Sequence, residues 1–227
     1  MSTQTLTPTH SPAPATDPSF WDQIADEYAA KPVEDPETFT KKVKHTISLM
    51  PSEATVLDLG CATGSLSLRL GAHAHQIHGV DLSKEMVRIA RHKVREAGQE
   101  HLHFHVGTLT ELSCGGDLPF RPASFDVITA FSLLHLVPDR ERTLAQVYAL
   151  LKPGGVFVSS TVALKDTWIP YAPIIRVMQW LGKAPYIQLV GKETVLEELQ
   201  AAGFESFVQP IPELKKSTLF VSCRKPL

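Results

Sequence analysis

Between residues 54 and 161, short β-branched runs alternate with longer amphipathic stretches. That alternation builds a parallel sheet with helices on its faces. Strands are predicted over residues 55–59, 76–80, 125–130 and 156–160, with a fifth at 101–106. Helices are predicted between them, over 83–97, where Met86, Val87, Ala90 and Val94 share one stripe, and over 139–151. Two further helices, 20–30 and 37–50, lead into this core as a cover or lid, each preceded by capping or proline signals. After the sheet strands, residues 162–190 read as an irregular apolar insert, followed by a helix at 192–202 ended by Gly203 and two last strands near 206–208 and 217–223. No internal repeat interrupts this order.

The 227 residues fit one domain over 20–227, preceded by a tail, 1–19, whose Thr, Ser, Pro and Ala content reads as disordered and lacks the apolar centre of a signal peptide. The 22 basic and 24 acidic side chains nearly cancel and form no basic run, which argues against nucleic acid as a substrate. Three cysteines, Cys61, Cys114 and Cys223, show neither disulfide nor zinc spacing and fit a reducing cytoplasm. The longest apolar stretch, 168–190, is broken by Pro170, Pro173, Arg176, Lys183 and Pro185, so it is no membrane span.

Chemistry concentrates where the first strand ends, in Val56-Leu57-Asp58-Leu59-Gly60-Cys61-Ala62-Thr63-Gly64. An apolar strand runs there into a glycine-punctuated turn that opens a helix, bringing backbone N–H groups close to a ligand. Asp81 ends the second strand, where a carboxylate can accept both hydroxyls of a ribose diol, although an acid there can also simply precede the helix cap Ser83. A dinucleotide fingerprint would need glycines where Ala62 and Ser65 stand, which weakens an NAD(P)-dependent oxidoreductase reading on the same sheet.

Taken in order, DLGCATG, GVDLS with Met86 following, FDVITAFSLLHLVPD and LLKPGG resemble the motifs of class I S-adenosylmethionine-dependent methyltransferases, of the branch that includes quinone and biotin-pathway methylases. The likeness covers about residues 20–161. It implies a Rossmann-like α/β fold with a seven-stranded, mostly parallel sheet in the order 3-2-1-4-5-7-6, strand 7 antiparallel. It further implies S-adenosylmethionine as cofactor, with Gly60 and Gly64 bracketing its methionine moiety, Asp58 at the amino group, Asp81 at the ribose, and Leu82 and Met86 against the adenine. Thr108 and Leu109 stand where many relatives place an acid for the adenine amino group. Phe131, at the end of the fourth strand where the sheet's carboxyl edge opens, is expected to border the transferred methyl.

Tyr28 occupies the position from which such relatives close a lid, and an aromatic there serves equally well as a core anchor. His135 is the candidate base if the acceptor is a hydroxyl; flanked by Leu134 and Leu136, it is equally a packed histidine. The histidines at 73, 75, 78, 101, 103 and 105 carry no accompanying carboxylate or cysteine pattern, and no metal is expected. The insert's composition, including Trp168, Ile174, Met178 and Trp180, points to a small apolar or amphiphilic acceptor, and O-methylation is the first expectation. A catalytically silent, methyltransferase-like binding subunit is the other alternative.

Overall fold

The computed structural model describes residues 17–112, 118, 120–211, 214, 215 and 217–227. Most of the expected tail, and Cys114, lie outside the described residues. Seven strands form one sheet: β1 (Ala54–Leu59), β2 (Ala74–Asp81), β3 (Leu102–Val106), β4 (Phe125–Phe131), β5 (Leu151–Val162), β6 (Glu205–Val208) and β7 (Thr218–Arg224). Their order is β3-β2-β1-β4-β5-β7-β6, as the resemblance implies. The β1–β2, β2–β3, β1–β4 and β4–β5 pairs are parallel, and β7 runs antiparallel to both β5 and β6.

Central strands buried on both faces carry near-continuous apolar sequence because helices cover each side. Val56, Leu57 and Leu59 of β1 and Val127, Ile128 and Ala130 of β4 are accordingly buried. The helices are α1 (Ser19–Ala30), α2 (Pro36–Leu49), α3 (Ser65–Leu70), α4 (Lys84–Glu96), α5 (Arg140–Leu150), α6 (Tyr171–Trp180) and α7 (Lys192–Ala201). Side-chain caps begin three of them. Asp35 accepts from Thr38 N–H, Ser83 from Met86 N–H and Asp139 from Arg142 N–H.

Two differences from the sequence reading concern the flanking segments. Ser19, assigned to the tail, opens α1, where its N–H donates to Asp17 at 2.9 Å. The 162–190 insert is not irregular throughout: α6 occupies its middle, with Pro170 and Pro173 at its start, where a missing N–H costs little.

At the sheet edge the His78 and His105 rings meet, Nδ1 to Nε2 at 3.1 Å, with His103 5.4 Å from His78 and the Phe120 and Phe125 rings edge-on. His101 turns instead to the Gly71 carbonyl at 2.9 Å. Burial, with His105 and His103 beside it, holds His78 down to about 4. The unfolded chain takes up this proton near 6.5, the folded chain only near 4. Between those values the unfolded state binds more protons, so stability falls as pH drops from about 6.5 to about 4. Melting temperatures measured across that window should fall, and less steeply in His78→Phe, whose ring keeps the aromatic contacts without the proton.

Candidate active site

The parallel sheet changes direction between β1 and β4, since β1 pairs with β2 on one side and with β4 on the other. Ligands of open α/β sheets bind beyond the carboxyl ends of the strands at such a point. A cavity of about 890 Å³ opens there, walled by the ends of β1, β2 and β4, by α1, and by the chain after α6. That volume lies within the range of about 300–1,000 Å³ usual for small-molecule sites.

Its floor is the β1–α3 turn. Gly60 sits at φ +63°, a left-handed conformation that favours glycine, and a Cβ there would press on the end of the Leu133 side chain at 2.8 Å. Gly60 and Cys61 N–H groups donate to the Val80 carbonyl, which fastens the turn to β2. Ala62, also in the left-handed region at φ 46°, donates its N–H to Asp81 Oδ2 at 2.9 Å. Asp81 Oδ1 accepts from Ser83 N–H at 2.9 Å. Burial raises the Asp81 carboxyl from its ordinary value, while those two N–H bonds pull it back down. A carboxylate has about four acceptor sites, so two remain for a ligand's hydroxyls.

Of the residues singled out in the sequence, Tyr28, Gly60, Asp81, Leu82, Met86, Thr108, Leu109, Phe131 and His135 line this one cavity. Asp58 and Gly64 do not. Asp58, 1% exposed, accepts from Ser67 Oγ at 2.6 Å and Thr129 Oγ1 at 2.8 Å, so both its oxygens are engaged beneath the turn. Burial pushes its carboxyl up to about 6 despite these hydroxyls. Gly64, at φ +76°, caps α3 and packs where a Cβ would lie 3.1 Å from both Ala90 and Phe104. The two residues therefore shape the turn from behind.

His135 lies in a short helical turn, Leu134–Leu136, and is 9% exposed. Burial lowers its pKa to about 4, so the imidazole is neutral at physiological pH and a weaker base than an exposed histidine. Its Nδ1 is buried without a hydrogen-bond partner among the described residues. Its carbonyl accepts from Gln188 N–H at 2.8 Å, and the Gln188 side chain meets Arg140, which is held by Glu198 through bonds of 2.7 and 2.6 Å. This buried chain fixes the rim. Next to it Ser132 holds φ 54°, a strained conformation for a residue with a side chain, of the kind that gathers at functional sites.

Other lining residues had no clear sequence signal. Trp21 and Gln23 arrive on α1, Leu133 and Val137 after β4, and residues 184–187 after α6. Asp22 of α1 is informative: its Oδ1 accepts from Ser83 Oγ at 2.6 Å and from Glu85 N–H at 3.2 Å, while Asp26 pairs with Arg88 at 3.0 Å. A carboxylate at a helix start satisfies its free N–H groups and favours its dipole. α1 is therefore anchored to α4 by the same residues that follow Asp81. Asp22→Ala should lose about 1 kcal/mol of stability and expose α1 to limited proteolysis; digestion at the wild-type rate would show that the apolar contacts of Trp21, Ile24 and Ala25 hold it alone.

Residues 56–155 match the family described as Methyltransferase domain. Over those residues, on a sheet of the expected strand order, the chain is similar to class I S-adenosylmethionine-dependent methyltransferase domains. It is 31% identical over 141 residues to the demethylmenaquinone methyltransferase of Leptospira interrogans, covering 56% of this chain and 55% of that protein. It is 30% identical over 192 residues to an O-methyltransferase of Penicillium expansum, covering 82% of this chain and 63% of that one. The chain thus spans little more than half the length of the first of these relatives and under two thirds of the second. A solved [4+2]-cyclase shares the fold at a TM-score of 0.65 and 21% identity, over 84% of this chain and 81% of that one.

S-adenosylmethionine is the cofactor of such domains, and the residues present fit it. The cavity offers a half-buried carboxylate at the tip of β2, apolar side chains for a flat base, and a glycine at the turn beneath it.

Proposed function

We propose that the protein transfers the methyl group of S-adenosylmethionine to a hydroxyl oxygen of a small, apolar or amphiphilic acceptor. One observation carries the reading: a neutral, buried histidine and the half-buried Asp81 carboxylate wall the same cavity at the sheet's switch point. In it Asp81 holds the ribose diol, Leu82 and Met86 flank the adenine, and Thr108 and Leu109 meet its polar edge. Gly60 borders the methionine moiety, and Tyr28 closes over the site from α1. Asp58 and Gly64 act at one remove, by fixing the turn.

When bound, S-adenosylmethionine supplies an electrophilic methyl on a positively charged sulfur. Phe131, at the end of β4, borders the point where the acceptor meets that methyl. An acceptor hydroxyl held there would lose its proton to His135, the oxygen taking the methyl that bound S-adenosylmethionine would supply. Positive charge is dispersed in this displacement, so alignment in a largely dry cavity supplies much of the acceleration. The relative named as an O-methyltransferase supports oxygen as the acceptor atom. Fold alone does not carry the reading, because a cyclase shares it.

Calorimetric titration with S-adenosylmethionine, S-adenosylhomocysteine and NAD(H) is the first test, followed by labelled methyl transfer to phenols and quinols. Micromolar binding of the adenosyl ligands and transfer to oxygen are expected. Binding of NAD(H) alone would sink the reading; adenosyl binding with no turnover of any hydroxylated acceptor would sink the O-methylation.

A further inference from the structure

A surface helix ordinarily turns its apolar stripe inward. α6 does the reverse. Ile174, Val177, Met178 and Leu181 follow the i, i+3, i+4, i+7 spacing of one helical face, and all four are exposed, whereas Ile175 on another side is buried. Trp168 before the helix is 93% exposed and Trp180 at its end 84%. Apolar patches of this kind mark an interaction surface.

Charge identifies the occupant. Within residues 162–191 the charged side chains are Lys165, Arg176, Lys183 and Asp166, in a chain whose net charge is −2. Asp166, exposed and accepting from Lys192 N–H at 2.8 Å, is the one anion among them, so the segment carries three exposed cations and a net charge of +2 (3 − 1). A two-fold contact between copies would bring these same cations against one another. An anionic lipid surface attracts them instead. Tryptophan is favoured at the boundary between lipid and water, and a ten-residue helix is far short of the roughly 20 residues needed to cross.

We propose that α6 and the flanking Trp168 and Trp180 dock the protein on an anionic phospholipid bilayer, the helix lying in the plane of the interface. Arg176 and Lys183 meet the lipid phosphates, and Ile174, Val177, Met178 and Leu181 enter the acyl boundary. Residues 184–187, which wall the cavity, follow directly after α6, so docking brings that wall to the bilayer. Docking is independent of which atom is methylated.

The test is co-sedimentation of the full chain with phosphatidylcholine vesicles, with and without phosphatidylglycerol. Partition at least about tenfold stronger onto the anionic vesicles, weakened by salt, is expected from several basic side chains near the surface. The Val177→Asp/Leu181→Asp and Arg176→Glu/Lys183→Glu variants should each lose at least about fivefold of it, with S-adenosylmethionine affinity unchanged as the check on folding. Equal binding to neutral and anionic vesicles, or full binding by either variant, would overturn the proposal. So would a dimer in sedimentation equilibrium that Val177→Asp/Leu181→Asp dissolves. The cofactor titration on the same preparations separates failure of docking from failure of the methyltransferase reading.

Discussion

His135→Ala is expected to slow methyl transfer to a hydroxyl acceptor by about 10²–10⁴-fold, the usual contribution of a positioned base. Affinity for S-adenosylmethionine should stay within about twofold, since alanine removes no polar contact assigned to the cofactor. The pH profile adds a sharper test. With its pKa held down to about 4 by burial, the imidazole is neutral across the physiological range. Protonation at lower pH removes the base, so kcat/KM should be flat from about pH 6 to 8 and be lost only as pH falls through about 4. A descending limb near 6.5, the value of an unburied histidine, would place the working base elsewhere. Turnover retained in His135→Ala would make His135 a packing residue.

Asp81→Ala is expected to weaken binding of S-adenosylmethionine by about 1–3 kcal/mol, the range for leaving polar groups without partners; that is a loss of roughly 5- to 150-fold. Part of the loss is indirect. Asp81 accepts the N–H groups of Ala62 and Ser83, so alanine also frees the turn beneath the ligand. Asp81→Asn separates the two effects, because its amide oxygen still accepts one of these bonds while its NH₂ donates where a carboxylate would accept. Calorimetry on both variants measures the division. Near wild-type affinity in Asp81→Ala would overturn the ribose assignment. A loss in Asp81→Ala that Asp81→Asn largely restores would assign Asp81 to the turn.

The sheet was legible because its cause is local. Each parallel strand is a short β-branched run bounded by turn residues, and burial on both faces makes that run apolar, as in Val56 to Leu59 and Val127 to Ala130. Gly60 and Asp81 were legible for a similar reason. The first needs a left-handed turn, and the second stands at a strand tip followed by a capping serine, and both requirements are written within a few residues.

What the sequence could not separate was facing from burial. Asp58 and Asp81 are both acids at the end of an apolar strand, yet Ser67 and Thr129, 9 and 71 positions away, engage both oxygens of Asp58 beneath the turn while Asp81 faces the cavity. Asp22 reaches Ser83 across 61 positions, a pairing no local pattern encodes. The apolar insert shows the same limit. Its composition pointed to an apolar acceptor pocket, but Trp168, Ile174, Met178 and Trp180 are exposed and do not line the cavity, which only Gly182 and residues 184–187 of the insert reach. Sequence alone therefore determined the strands, the ligand turn and the carboxylate at the tip of β2, because steric and hydrogen-bonding demands within a few residues specify them. Tertiary structure decided which acid faces the cavity, which histidines are held neutral and which way α6 turns its apolar face, because each depends on what the fold packs against it from distant parts of the chain.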